Sequence, residues 1–118
     1  MIRKIVVSLV VLFLFTAATF AQDKAADGAK AVTTHLKTQL LLNDSQYTKV
    51  YDINKVFLIK ANENNKLAIN ETEKAKKLKM LVDDKETKLK SVLSDAQFKK
   101  YAARRADISK KLKEYYKE

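Results

Sequence analysis

Glycine, proline, cysteine and tryptophan are almost or wholly missing from this chain of 118 residues. It holds one glycine, Gly28, and no proline, cysteine or tryptophan. Tight hairpin turns depend on glycine and Asn-Gly pairs, so we do not expect an all-β sandwich or barrel. Glycine-rich phosphate loops need several glycines and are excluded. The lack of cysteine excludes disulfides, thiolate metal sites, cysteine nucleophiles and a lipid-modified N-terminal cysteine.

The few residues that often carry catalysis or metal binding are sparse as well. His35 is the single histidine. With Asp27 or Asp44 it would make an acid–base pair, but no nucleophile in a recognisable setting accompanies it. We therefore predict no enzymatic activity, no cofactor and no metal.

The densest acidic group in the second half of the chain has a structural interpretation. Asp83, Asp84 and Glu86 lie among Lys79, Lys85 and Lys88. Opposite charges at this spacing are typical of ion pairs between residues i and i+4 on a solvated helix face. We expect no metal site there.

The first 21 residues have the three-part form of a secretory signal peptide. A basic start (1–4) precedes an apolar run (5–15), and small residues (16–21) follow. We expect cleavage near Ala21, which places the mature protein in the periplasm or outside the cell. The alternative is a retained membrane anchor, since residues 5–21 are near the lower length limit for a spanning helix.

Basic residues outnumber acidic ones by 24 to 14, which gives a formal charge of +10 at pH 7. Cleavage removes Arg3 and Lys4 and leaves +8 on 97 residues. Basic charge alone supports only salt-sensitive, sequence-independent nucleic-acid binding, and export leads away from the chromosome, so we predict no specific nucleic-acid partner. A weak contact with an anionic membrane surface is the stronger candidate for the tail 110–117, which also carries Leu112, Tyr115 and Tyr116.

Apolar spacing predicts an all-α mature chain, with a flexible N-terminal arm at 22–30 and a single helical domain at 31–118. The asparagines in 62–65 predict a break within 62–70, with one continuous helix as the alternative. The third helix carries a stripe that includes one lysine, Lys85. The four predicted helices lie at about 29–41, 44–62, 70–92 and 95–116.

Two of these helices begin with the same pattern, Leu42-Asn-Asp-Ser-Gln-Tyr and Leu93-Ser-Asp-Ala-Gln-Phe, 51 residues apart. Each pattern predicts an N-cap, a capping-box glutamine three residues later, and a hydrophobic staple between its leucine and its aromatic residue. The alternative is that two helices share a common good cap without further meaning. We interpret the eight residues as structural: Leu42, Asn43, Gln46, Tyr47, Leu93, Ser94, Gln97 and Phe98.

The paired starts resemble the Leu-Thr-x-x-Gln motifs of the Spy/CpxP-like periplasmic family, with Asn43 and Ser94 in place of the family's threonine. The resemblance covers about 36–118. It implies a four-helix, elongated hairpin-type protomer that pairs into a thin, curved, antiparallel homodimer. Spy-like members are ATP-independent chaperones for unfolded proteins, and CpxP-like members tune envelope-stress signalling. Metal-binding relatives use His-rich segments, which this chain lacks.

The function that the resemblance implies is chaperone-like binding of unfolded or stressed envelope proteins. Long basic side chains attract acidic segments and cover apolar surface with their stems. Each candidate also has a structural interpretation: Phe57 in the core, Ile59 at a dimer interface, and the cations as plain solvated charges. The alternative function is an envelope-stress regulatory or structural adaptor that binds one protein partner. The candidate contacts are Phe57, Ile59, Lys60, Met80, Arg104 and Arg105.

Overall fold

The computed structural model describes residues 23–117, which form five helices and no strand. The predicted all-α class is confirmed. The predicted signal peptide, 1–21, lies outside the described residues. The helices are α1 (23–40), α2 (Asp44–Asn65), α3 (Glu71–Val92), α4 (Asp95–Ala103) and α5 (Arg105–Lys113).

Helix α1 buries one face that is made of small and apolar side chains at helical spacing. Residues 23–30, predicted as a flexible arm, already belong to this helix. That expectation is therefore wrong for these residues, because Ala25 and Gly28 are small enough to pack closely and are buried. The buried apolar residues, none more than 3% exposed, are Ala25, Ala29, Val32, Leu36 and Leu40.

Gly28 lies at a point of very close approach between α1 and the rest of the molecule. A Cβ atom at this position would lie 2.5 Å from Tyr115 Cγ and 2.8 Å from Leu58 Cδ1. Alanine normally stabilises a helix by about 1 kcal/mol relative to glycine, but overpacking a core costs about 1–3 kcal/mol. We expect Gly28→Ala to lower the free energy of unfolding by about 1 kcal/mol in chemical denaturation, the difference between these two effects.

Two further variants separate packing from helix propensity. Ala31 is exposed on the same helix, so Ala31→Gly should show the propensity effect alone, a loss of about 1 kcal/mol. In a Tyr115→Ala background the cost of Gly28→Ala should shrink, because the closest contact, with Tyr115 Cγ at 2.5 Å, is gone, while that with the Cβ atom of residue 115 at 2.8 Å stays. A Gly28→Ala variant as stable as the wild type would contradict this packing.

The connection between α1 and α2 uses a left-handed residue that is not glycine. Leu41 has a φ of 57° and is 76% exposed. The N–H of Leu42 donates to the carbonyl of Lys37 at 3.2 Å, the longer hydrogen bond of a Schellman motif. This turn reverses the chain within three residues, and α2 starts at once from its N-cap Asn43.

Helix α2 contacts neighbours on two sides, as its broad apolar surface predicts. Towards α1, the Asn54 amide donates to Thr33 Oγ1 at 3.0 Å, and both side chains are buried. Towards α3, Phe57 packs beneath Lys85, whose Nζ lies 4.6 Å from the ring centroid. The α1 contact places a satisfied polar pair in an otherwise apolar core, which favours one register of α1 against α2.

The predicted break between the second and third helices is confirmed. Helix α2 ends at Asn65 and α3 begins at Glu71, with Asn70 as its N-cap. Lys74 Nζ donates to the Asn65 carbonyl at 3.0 Å, which supplies a partner and a positive charge at the end of α2. The chain between the helices is therefore a short, well-capped turn.

Helix α3 is the least buried of the long helices. Only Lys85 and Leu89 are fully buried among its residues. Leu78 is half-buried and Ala75 is exposed, although both belong to the apolar stripe of its first half. The second half of α3 therefore joins the core, while its first half leaves apolar surface open beside α2.

The fourth predicted helix, 95–116, is interrupted at Arg104 and ends at Lys113. The Arg104 N–H donates to the Tyr101 carbonyl at 3.0 Å, a tighter i−3 bond in place of an α-helical one. Arg105, directly after the break, forms two bonds to the Glu86 carboxylate of α3, at 2.7 and 2.8 Å. The described chain thus has five helices instead of the expected four.

Candidate functional site

Both predicted capping boxes are present. Gln46 Oε1 accepts from the Asn43 N–H at 3.1 Å, and Gln97 Oε1 accepts from the Ser94 N–H at 2.9 Å. The side chains of Asn43 and Ser94 accept in return from the Gln46 and Gln97 N–H groups, at 2.8 and 3.1 Å. The structural interpretation of these four residues therefore has direct geometric support.

The two capping glutamines also bind each other, which local sequence patterns do not reveal. Gln46 Nε2 lies 2.7 Å from Gln97 Oε1, and Gln97 Nε2 lies 3.1 Å from Gln46 Oε1. Each Nε2 makes a second bond, Gln46 to the Val92 carbonyl and Gln97 to the Leu40 carbonyl, both at 3.2 Å. We call Gln46 and Gln97 the glutamine pair.

Each amide of the glutamine pair has its full complement of partners. A primary amide offers two N–H donors and an oxygen with two acceptor positions, and all four are used on both sides. No polar group of the pair remains for a ligand. Leu42 and Leu93, the predicted staple leucines, are buried beside the pair, so this centre holds helix ends together.

The candidate client contacts do not form one cluster. Lys60 and Met80 line the same groove, and Phe57 is buried, in accord with its structural interpretation. Ile59 is half-buried against the core. Arg104 is exposed at the break after α4, and Arg105 is engaged with Glu86.

The groove that holds Lys60 and Met80 is an open apolar channel of about 340 Å³ between the end of α2 and the first half of α3. Met80 is 70% exposed and Leu67 is 40% exposed. A shallow extension beyond Leu81 continues past Val56. We call this surface the α2–α3 groove; its lining residues are Lys60, Glu63, Asn64, Leu67, Lys77, Met80 and Leu81.

The charge at the rim of the α2–α3 groove is positive by a small margin. Lys60 and Lys77 stand against one carboxylate, Glu63. Within residues 23–117, neither lysine forms an ion pair. The surface therefore combines adaptable apolar side chains with free ammonium groups on long stems.

A buried lysine lies under the shallow extension of this groove. Lys85 is 3% exposed, and its Nζ lies over the Phe57 ring. Burial lowers the pKa of Lys85 to about 8; Glu86 raises it and Arg105 lowers it further. Glu86 is held by Arg105 at 2.7 Å, and the Lys85 ammonium instead faces the ring of Phe57, 4.6 Å from its centroid.

The residues considered for acid–base chemistry or metal binding are placed apart. His35 Nε2 lies 3.9 Å from Asp107 Oδ2, rather than beside Asp27 or Asp44. In the acidic group 83–86, Asp84 pairs with Lys88 at 3.0 Å, as the i,i+4 interpretation predicts, whereas Glu86 pairs with Arg105. Within the described range, no group of three or more acidic or histidine side chains is placed to hold a metal ion.

The basic tail presents a different surface from the one its sequence suggests. Leu112 is buried, and Tyr115 and Tyr116 pack against the core. Its apolar side chains thus face inward and leave only lysines for an anionic surface. Among residues 23–117, no helix has the length and apolar character to cross a membrane.

Comparisons with family models, with curated proteins and with solved structures give no match to this chain. The fold and the site define a class on their own: a small all-α protein whose helix ends are joined by the glutamine pair. Its open surface is the α2–α3 groove, rimmed by lysine. The likeness to the Spy/CpxP-like family accordingly stays a hypothesis.

Proposed function

We propose that this protein is an exported, ATP-independent chaperone of the Spy-like kind, which binds unfolded or stressed envelope proteins in the α2–α3 groove. The observation that carries the proposal is the exposure of Met80 beside Leu67, with unpaired Lys60 and Lys77 at the rim. Exposed apolar surface rimmed by polar groups is typical of protein-binding sites. The periplasmic location rests on the predicted signal peptide.

The chemistry of the groove suits weak and unspecific binding. Methionine has an unbranched, polarizable side chain that adapts to differently shaped partners. Lysines attract acidic segments at a distance and release them as salt screens the charge. Such binding needs no nucleotide. The proposal includes the homodimer that the family resemblance implies, since two copies would double the number of weak contacts available to one client.

The test is suppression of light scattering from an aggregating client at low ionic strength. We expect the purified protein, at one dimer per client, to suppress aggregation, and Met80→Gln to remove about half of that effect or more. Leu41→Gln is the matched control, because Leu41 is equally exposed but lies at the other end of α2. Sedimentation of the same samples gives the stoichiometry.

The charged rim is tested in the same assay. Lys60→Gln with Lys77→Gln should weaken suppression and its dependence on salt. Lys99→Gln with Lys100→Gln removes the same charge from exposed positions on α4 and should leave suppression unchanged. No suppression of aggregation by the wild-type protein would refute the chaperone function. Equal activity of the Met80→Gln and Leu41→Gln variants would show that clients do not bind in the α2–α3 groove.

The alternative is an envelope-stress regulatory or structural adaptor. The observation in its favour is the size of the groove, about 340 Å³, which is defined enough to hold one or two side chains of a single partner. A pull-down from the envelope that yields one partner in fixed stoichiometry, with binding lost in Met80→Gln, would favour the adaptor. A spread of bound proteins would favour the chaperone.

A further inference from the structure

A second pocket, of about 200 Å³, lies where the end of α2, the start of α3 and the C-terminal segment meet. We call it the tail pocket. Its apolar lining comes from Ala61, Leu78 and Tyr116, and its basic lining from Lys74, Lys113 and Lys117. Among the described residues that line it, Glu71 is the one with a carboxylate.

The three lysines of the tail pocket are not equivalent. Lys74 is held by two partners, the Asn65 carbonyl at 3.0 Å and Glu71 at 4.0 Å. Lys113 and Lys117 form no ion pair with any residue in 23–117. Two of the lysines that line the pocket therefore have no counter-ion within the described part of the chain.

A buried amide beside the tail pocket also lacks a partner. Asn64 is 8% exposed, and its Nδ2 donates to the Lys74 carbonyl at 3.1 Å. Its Oδ1 is buried and accepts no hydrogen bond from any residue in 23–117. An unpaired buried acceptor costs about 1–3 kcal/mol, and Asn64 lines the pocket, so a water that donates one hydrogen to Asn64 Oδ1 and the other to a bound anion would satisfy it.

The remaining lining of the tail pocket is suited to an apolar body. Tyr116 is half-buried, with its ring centroid 5.9 Å from that of Phe57, so the wall is fixed by the core. Leu78 is half-buried on the opposite helix. At about 200 Å³, the pocket is smaller than the roughly 300–1,000 Å³ that drug-sized ligands occupy, which favours a short chain or a single ring.

We propose that the tail pocket binds a small amphipathic anion, with its carboxylate or phosphate head between Lys113 and Lys117 and its apolar body against Leu78 and Tyr116. Charge-assisted hydrogen bonds hold the head, and burial of the chain supplies the rest of the affinity. This site adjoins the α2–α3 groove at Asn64, which lines both, but it does not depend on the proposed chaperone function. A bound ligand would join the α2–α3 turn to the C-terminal segment.

The test is a titration of the purified, isotope-labelled protein followed by amide NMR. Octanoate and octyl phosphate are the probes; acetate and inorganic phosphate represent the head alone, and octanol the body alone. We expect saturable shifts at Leu78 and Tyr116 with the two amphiphiles, and binding at least about tenfold weaker for the isolated heads. The Lys113→Gln, Lys117→Gln variant should bind at least about tenfold more weakly than the wild type.

Two further variants control for charge and folding. Lys99→Gln with Lys100→Gln removes the same charge from α4 and should bind the amphiphiles as the wild type does. Ala75 lines the pocket and is exposed, so Ala75→Glu should block binding through repulsion without disturbing the fold. Equal affinity in the wild type and both pocket variants, absence of saturable shifts, or equally tight binding of inorganic phosphate and octyl phosphate would each overturn the proposal.

Discussion

Replacement of Gln97 by alanine is expected to lower the free energy of unfolding by about 3 kcal/mol. The Gln97 side chain makes four hydrogen bonds, with Ser94, Leu40 and, twice, Gln46. Each is worth about 0.5–1.5 kcal/mol in net terms, and the half-buried groups left behind lose their partners. Chemical denaturation of the variant and the wild type measures the difference.

Glutamate at the same position separates the cap from the glutamine pair. A glutamate at the third helical position completes a capping box as well as glutamine does, and its carboxylate still accepts from Gln46 Nε2. It cannot donate to the Leu40 carbonyl or to Gln46 Oε1, which Gln97 does at 3.2 and 3.1 Å. We therefore expect Gln97→Glu to lose about 1–2 kcal/mol, less than the alanine variant.

A double-mutant cycle tests the direct contact between the two amides. Gln46→Ala and Gln97→Ala together should cost about 1 kcal/mol less than the sum of the single variants, because either change alone already breaks the contact. Asn70→Ala is the matched control for a cap alone, since the Asn70 side chain accepts from the Glu73 N–H at 2.8 Å and its loss should cost about 1 kcal/mol. Additive costs for the two glutamines would show that they act as independent caps.

The glutamine pair marks the boundary of what the sequence could predict. A capping box joins residues three apart, so the sequence predicts both boxes, and the structure confirms them. The meeting of two side chains 51 residues apart depends on how the helices between them turn. The Leu40 carbonyl that Gln97 binds lies beside the α1–α2 turn, which Leu41 makes in a left-handed conformation, and no glycine marks this turn.

Two helix boundaries differ from the prediction: the described helix α1 already includes residues 23–30, and the last predicted helix is interrupted at Arg104. Residues 23–30 looked like an arm because they are small and polar, yet small side chains are what α1 needs to approach Leu58 and Tyr115. The break at Arg104 has neither glycine nor proline. It coincides with the Arg105–Glu86 ion pair to α3, a tertiary contact between residues 19 apart that local patterns cannot reveal.

The candidate binding residues also divide into those whose exposure the sequence predicts and those whose exposure depends on tertiary contacts. Met80 lies off the main stripe of α3, and its exposure follows from helical spacing alone. Lys60 is a candidate because of its charge, and the structure places it in the α2–α3 groove with Met80. Phe57 and Arg105 were equally suitable by residue type, but one is buried and the other is paired with a carboxylate. Residue type alone suggests which side chains could contact a client, whereas the packing of the helices determines which of those side chains are exposed.

Replacement of Lys85 by methionine is expected to raise the free energy of unfolding at pH 7 by about 2 kcal/mol. Burial lowers the Lys85 pKa from 10.5 to about 8, and a difference of this size corresponds to roughly 3 kcal/mol against the charged form. Loss of the cation–π contact with Phe57 at 4.6 Å reduces this stabilisation by about 1 kcal/mol. Methionine keeps the length and flexibility of the side chain.

The pH dependence of this gain identifies its cause. Between about pH 8 and pH 10.5, the unfolded chain keeps a proton on Lys85 that the folded chain has lost, so the stability of the wild type rises with pH. The methionine variant lacks this term, and its advantage should shrink across the same range. Burial raises the Tyr101 pKa, which lowers stability above about pH 10 in both proteins and cancels in their difference.

Lys88→Met provides the control, because Lys88 is exposed on the same helix and paired with Asp84 at 3.0 Å. Its effect on stability should be within about 1 kcal/mol. A Lys85→Met variant less stable than the wild type at pH 7, where Lys85 is charged, would mean that the ammonium–Phe57 contact outweighs the cost of burial. Lys85 would then stabilise the fold beneath the shallow end of the α2–α3 groove, instead of lowering its stability there.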